Sequence, residues 1–185
     1  MPKPDVPNCK GTDVLNAVKW LRLNRERALA MLPPRLHHYL EDRILVSSWY
    51  PEEDQFGLLK VIAALMPAGG PDPWVLMGRA TANTNLTSLY RNQLRVGDPE
   101  RTLTFASAFW RNGHDTGELS ITSDGPTRLI GRLRGYRRPS RELCKIVSGY
   151  FLELVKLSAQ KEGSVVHSAC ALDGASDCLW TVSWG

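Results

Sequence analysis

The chain has no run approaching the roughly eighteen consecutive apolar residues that a membrane-spanning helix requires. Its opening, MPKPDVPNCK, holds three prolines and lacks the apolar centre of a signal sequence. The expected location is therefore the cytoplasm, with residues 1–10 as a flexible tail. There is no internal repeat, no P-loop, no dinucleotide-binding glycine fingerprint and no serine-nucleophile motif. PAGGPDP carries glycines but neither the lysine nor the strand that phosphate binding needs. No sign of charge dominates: 23 Lys and Arg face 19 Asp and Glu, for a net charge of +4 and a pI near 9.0. That balance is compatible with nucleic acid but does not identify it. Cysteine is scarce, four in 185 residues, and no C-x-x-C pair occurs.

What is present suits one globular domain, expected over residues 11–185. Apolar residues make up 43% and charged residues 23%, close to globular averages, and the length is ample for a core. TDVLNAVKWL predicts a helix, with Thr12 as cap and Val14, Leu15, Val18 and Leu21 at helical spacing. RERALAML predicts a second that stops at Pro33-Pro34, followed by a short helix over PRLHHYLED. After a brief β-like run in ILVSSWY, Pro51 opens an amphipathic helix with acids in its first turn, where the helix dipole favours them. Leu58, Leu59, Ile62 and Leu65 form its apolar stripe. Further helices are expected over Trp74–Thr84 and Thr87–Leu94, and from Asp98-Pro99 to Gly113.

The pattern then changes. GELSITSDGPTRLIGRLRG contains two alternating runs about an Asp-Gly turn, a hairpin signal. SRELCKIVSGYFLELVKLSAQ predicts the longest helix, capped by Ser140, and GSVVHSAC and DCLWTVSW a second strand pair. The fold class is α+β: a helical N-terminal half packed on an antiparallel sheet of two hairpins separated by a long helix. In this sheet Arg128, Arg132 and Arg134 share one parity opposite Leu129 and Leu133. RLIGRLRGYRRPSREL thus reads as a half-exposed strand and loop rather than a nucleic-acid patch. His37, His38, Glu41 and Asp42 lack an H-E-x-x-H pattern and a third ligand, so they read as surface groups. His114, in RNGHDTGE, reads as solvated.

The candidate site lies at the C-terminus. Cys178, Trp180, Val182 and Trp184 fall on one strand face, which draws Cys178 into an aromatic layer. His167 and Cys170 would point to opposite faces of a regular strand and converge only if the chain bends at Ser168-Ala169. Cys144 begins the helix that must cover this sheet. Two readings stand side by side. Cysteines can be small core hydrophobes, or Cys144, His167, Cys170 and Cys178 can supply a closed tetrahedral zinc site.

From Cys144 onward the chain resembles the 4-vinyl reductase family of small-molecule-binding domains. The resemblance rests on the CKIVSGYF helix and on H-x-x-C-x-L-D-G-x-x-x-C-x-W. Through KG, WYP, GRATA and LY it extends to a myxobacterial family of small proteins and covers nearly the whole chain. Zinc-carrying sensor domains of that wider group space a cysteine, an acid and two cysteines as Cys144, His167, Cys170 and Cys178 are spaced here, at intervals of 23, 3 and 8. This chain departs from them in having histidine for the acid. The resemblance implies structural zinc on these four residues, an α+β fold like that of 4-vinyl reductase domains and TRAPP subunits, a homodimer, and a non-enzymatic sensory function for a small apolar molecule. A protein-interaction adaptor acting through the dimer surface, or an accessory subunit of an enzyme, is the alternative. The sensors' ligand-contacting residues have no counterparts here.

Overall fold

The computed structural model describes residues 6–185. They form two compact units, Met1–Gly70 with Asn112–Asp115, and Pro71–Arg111 with Thr116–Gly185. Each is built on its own core.

In the first unit β1 (Asn8–Lys10) pairs antiparallel with β2 (Trp49–Pro51). The expected tail is therefore not free over these residues: Cys9 is completely buried, because β-pairing seats it. Residues 1–5 of that tail lie outside the described residues. Helix α1 (Gly11–Leu23) starts one residue before the expected Thr12 cap and has no side-chain cap. Gly11 is needed there, since a Cβ would meet the Leu45 carbonyl oxygen at 2.1 Å. Helix α2 (Arg25–Met31) ends where Leu32 turns extended ahead of the two prolines, and a 3-10 segment follows over Pro34–Leu40. Helix α3 (Glu52–Leu65) presents Phe56, Leu58, Val61, Ile62 and Leu65 to the core alongside Val14, Val18 and Leu21 of α1.

The second unit opens with α4 (Pro73–Thr84), capped by Asp72, whose carboxylate accepts from Trp74 and Val75. The helix expected over Thr87–Leu94 is instead a π-helical turn, Asn85–Leu89, running on from α4, then a 3-10 turn, Arg91–Gln93. The expected helix from Pro99 to Gly113 is broken into α5 (Pro99–Thr104) and α6 (Ala106–Gly113). Strands β3 (Glu118–Ser123), β4 (Arg128–Arg134), β5 (Ser164–Ala169) and β6 (Cys178–Ser183) form one antiparallel sheet in the order β3-β4-β6-β5. Helix α7 (Arg141–Ala159) joins the two hairpins. The α+β class and the two hairpins about a long helix are thus the observed architecture.

Helix α7 is the hub of this unit. Ser140 caps it by accepting from Leu143 N–H at 3.0 Å, and Leu143, Val147, Phe151, Leu154 and Val155 are buried. Phe151 meets Trp180 of β6 edge-on at 6.2 Å between centroids, and Trp180 Nε1 donates to Ser148 Oγ at 3.1 Å. Complete burial of Trp180 and near-complete burial of Phe151 contribute about 1.5–3 kcal/mol each. Among the described residues no helix is long and apolar enough to cross a membrane.

Candidate functional site

Three local devices bring four side chains together in the second unit. The Ser140 cap fixes the first turn of α7 and with it Cys144. β6 opens at Cys178, opposite Leu133 of β4. Strand β5 pairs His167 with Trp180, then slips register between His167 and Ala169. This irregularity is the bend that strand parity required, and it turns Cys170 back toward His167.

One ligand atom from each of Cys144, His167, Cys170 and Cys178 lies within 4.8 Å of the others. The Sγ atoms of Cys144 and Cys170 are 4.0 Å apart, and Ala171 N–H donates to Cys178 Sγ at 3.4 Å. All three cysteines are free and buried. The His167 ring stacks on Trp180 at 4.8 Å and 19°. Its Nε2 is buried and, among the described residues, has no hydrogen-bond partner. A buried polar nitrogen left unpaired is costly unless something else binds it. Burial, assisted by the Arg141 charge, holds the His167 pKa below its ordinary value, favouring the neutral ring. Burial and then the neighbouring Cys178 and Cys170 push the Cys144 thiol up. Cys178 is raised too, again mainly by burial. Three thiols and one imidazole at this spacing could hold a compact tetrahedral ion, which would leave no position for substrate.

The other sequence candidates do not assemble. His37 and His38 engage the carbonyl oxygens of Leu32 and Arg35 at 2.9 Å each, and Glu41 pairs with Arg25. The arginine-rich stretch is largely tied to acids: Arg128 to Asp124, Arg132 and Arg134 to Asp177, and Arg141 to Asp173.

Two features escaped the sequence reading. His114 is not solvated. Its Nδ1 lies 2.6 Å from Oε1 of Glu52, whose side chain is fully buried. Asp115 beside it accepts from the backbone and side-chain nitrogens of Asn8 at 2.8 Å each. The second feature is a half-buried aromatic trio in the second unit. Tyr90 and Phe109 lie 4.7 Å apart, Phe109 and Tyr150 6.2 Å apart, and Asn85 Nδ2 donates to the Tyr150 hydroxyl at 3.3 Å. No local pattern signals either, because the partners are far apart in sequence.

No family model and no curated protein matches the chain. Its fold, however, is that of solved H-NOX domains. An H-NOX protein from S. oneidensis in the Fe(II)NO ligation state aligns with a TM-score of 0.64 at 14% identity, over 94% of this chain and 98% of that one. A structure probing heme distortion in the H-NOX family aligns at 0.67 and 13%, over 95% and 94%. An oxygen-binding H-NOX domain related to soluble guanylate cyclases, in its oxygen complex, aligns at 0.65 and 13%, over 94% of each chain.

These matches correct the cofactor expectation. Zinc followed from kinship to zinc-carrying sensors, whereas the shared fold is that of heme-linked proteins. The fold likeness thus overturns zinc as the expected cofactor.

The four-donor cluster does not fit a heme, however. Heme iron brings four in-plane ring nitrogens and offers only its axial positions to protein donors. Four donor atoms within 4.8 Å of one another leave no plane for a macrocycle. The second unit's only histidine, His167, belongs to that cluster. Its layers are also in close contact at three points. A Cβ on Gly78 would come within 2.0 Å of Ile146 O, one on Gly149 within 2.1 Å of Val75 O, and one on Gly131 within 2.8 Å of the Phe151 ring.

Proposed function

We propose that this chain is a non-enzymatic sensory domain for a small apolar molecule. A metal ion held by Cys144, His167, Cys170 and Cys178 fixes its C-terminal corner. The observation that carries the metal site is the buried, unpartnered Nε2 of His167 within 4.8 Å of three thiols. The fold shared with gas-liganded H-NOX domains supports the sensory reading. The Tyr90, Phe109 and Tyr150 rings, with one polar pair at Asn85, supply an apolar surface and an orienting group for such a molecule. A closed four-donor site has no coordination position for chemistry, in keeping with a non-enzymatic role. Kinship to the 4-vinyl reductase family and a homodimer belong to the same proposal.

Elemental analysis of the purified chain tests the metal site, and native mass spectrometry tests the small molecule. The expected result is about one metal equivalent per chain, lost in Cys170→Ser, and a co-purifying apolar adduct. A metal-free wild type would overturn the metal site. The second reading, a heme-based sensor, is favoured by the fold likeness alone. Heme added to the chain would then give a stoichiometric heme absorption band, an outcome that would displace our reading.

A further inference from the structure

Cys170 and Cys178 bracket a loop with little regular structure: the 3-10 turn Ala171–Asp173, then Gly174 at φ +88°, Ala175, Ser176 and Asp177. Left to itself, such a loop would let two of the four donors drift. Two backbone bonds onto Cys170 O, from Asp173 N at 2.9 Å and Ala175 N at 3.2 Å, make it a tight knuckle but tie it only to itself.

Its attachment to α7 comes from a side chain. Arg141, the first residue of α7 and one turn before Cys144, clasps Asp173 with both guanidinium nitrogens: Nη1 donates to Oδ2 at 2.9 Å and Nη2 donates to Oδ1. The fork therefore joins the helix that carries Cys144 to the loop that links Cys170 and Cys178. A two-point fork fixes orientation as well as distance, which a lysine cannot do. Both partners are more than half exposed, and exposed pairs add little to global stability. What the clasp can govern is local: whether the knuckle stays closed on the donors. The loop's far end has its own tether, Arg132 and Arg134 on the buried carboxylate of Asp177, so the Asp173 end is where opening would begin.

We propose that Arg141 is the positioning residue of the four-donor cluster, holding the Cys170–Cys178 loop shut through Asp173 and thereby setting how fast a bound ion escapes. The inference rests on the metal site proposed above. Groups that orient metal ligands typically change metal affinity about 10- to 100-fold when removed.

The test uses the full chain loaded with cobalt(II), whose visible bands report thiolate ligation, and follows release to EDTA in stopped flow. Arg141→Ala and Asp173→Asn should keep the wild-type cobalt spectrum, because all four ligands remain, yet release the ion about tenfold faster or more. Arg141→Lys should fall between them and wild type. Arg128→Ala, which removes a comparable exposed pair with Asp124, should release at the wild-type rate, and the melting temperatures of all metal-free variants should coincide. Wild-type release in both Arg141→Ala and Asp173→Asn, with a normal cobalt spectrum, overturns the clasp and leaves the metal site standing. A wild type with no thiolate–cobalt bands overturns the metal site itself.

Discussion

At the scale of single residues, the least expected feature is a fully buried glutamate. Glu52 is tolerated because it opens α3, where the helix dipole favours negative charge, and because His114 Nδ1 sits 2.6 Å away. Removing one member of a buried pair leaves the other uncompensated, so Glu52→Ala should lower stability by about 3 kcal/mol in urea unfolding. A loss below about 1 kcal/mol would show that the pair is solvated after all. Asp13 belongs to the same neighbourhood. Burial raises its carboxyl most, His114 opposes, and Glu52 adds to the rise, leaving its pKa above the ordinary 3.8. A carboxyl raised in the folded state binds its proton more tightly folded than unfolded. Its contribution is then complete below the ordinary value and is lost as pH climbs through the folded value. Asp13→Asn should therefore melt progressively higher than wild type as pH rises from about 3 to 7. An offset that stays constant across the series would contradict the assignment. None of this was legible in the sequence. His114 and Glu52 are 62 residues apart, and nothing in RNGHDTGE distinguishes a buried histidine from a solvated one. The four-donor cluster was legible as one of two readings: a bend in the strand could bring His167 and Cys170 to Cys178, the long helix had to cover that sheet with Cys144, and the spacing resemblance pointed to the same four residues.

At the scale of elements, apolar period and capping residues located the helices, the hairpins and the α7 start well. They failed where two kinds of helical turn share one period. Asn85–Leu89 keeps an apolar spacing that suits an α-helix, but the chain there continues α4 as a π turn, closed by Tyr90 N–H on Asn85 O at 2.7 Å. Asp98-Pro99 correctly opened a helix, yet nothing in the pattern marked the break after Thr104. The crossing of α4 and α7 was also hidden. Gly78 and Gly149 are isolated glycines in helical stretches, which propensity disfavours. Their value is steric, since each lets the other helix's backbone approach within the space of a methyl group. Gly149→Ala would raise intrinsic helix propensity by about 1 kcal/mol, but its Cβ would sit 2.1 Å from Val75 O. Backbone cannot yield as a flexible side chain does, so sterics win. The variant should lose about 3 kcal/mol or more, and far-UV circular dichroism during thermal unfolding would record the loss. A stabilised Gly149→Ala would mean that the helices do not touch at this point.

At the scale of the whole molecule, the division into two units decides how far the proposed metal site can reach. Cys144, His167, Cys170 and Cys178 all lie in the second unit, and an ion held by them would tie its long helix to its last hairpin. Binding free energy at such a site is folding free energy for the segments that supply the ligands. It does not extend to segments that open independently, because proteins lose protection in cooperative pieces. Hydrogen exchange on the full chain, with and without chelator, should therefore show a sharply bounded response. Amides of the Cys170–Cys178 loop, the end of β5 and the first turn of α7 should exchange faster once the ion is stripped. Amides of α1 and α3, buried around Val14, Val18, Leu58 and Ile62, should keep their rates. The distant half of α7 is the discriminating segment. Phe151, Leu154 and Val155 are held by apolar burial against the sheet, which chelation leaves intact, so their amides should change little although they share a helix with Cys144. If protection instead collapses along the whole of α7 and across the first unit, the ion governs global folding rather than one corner.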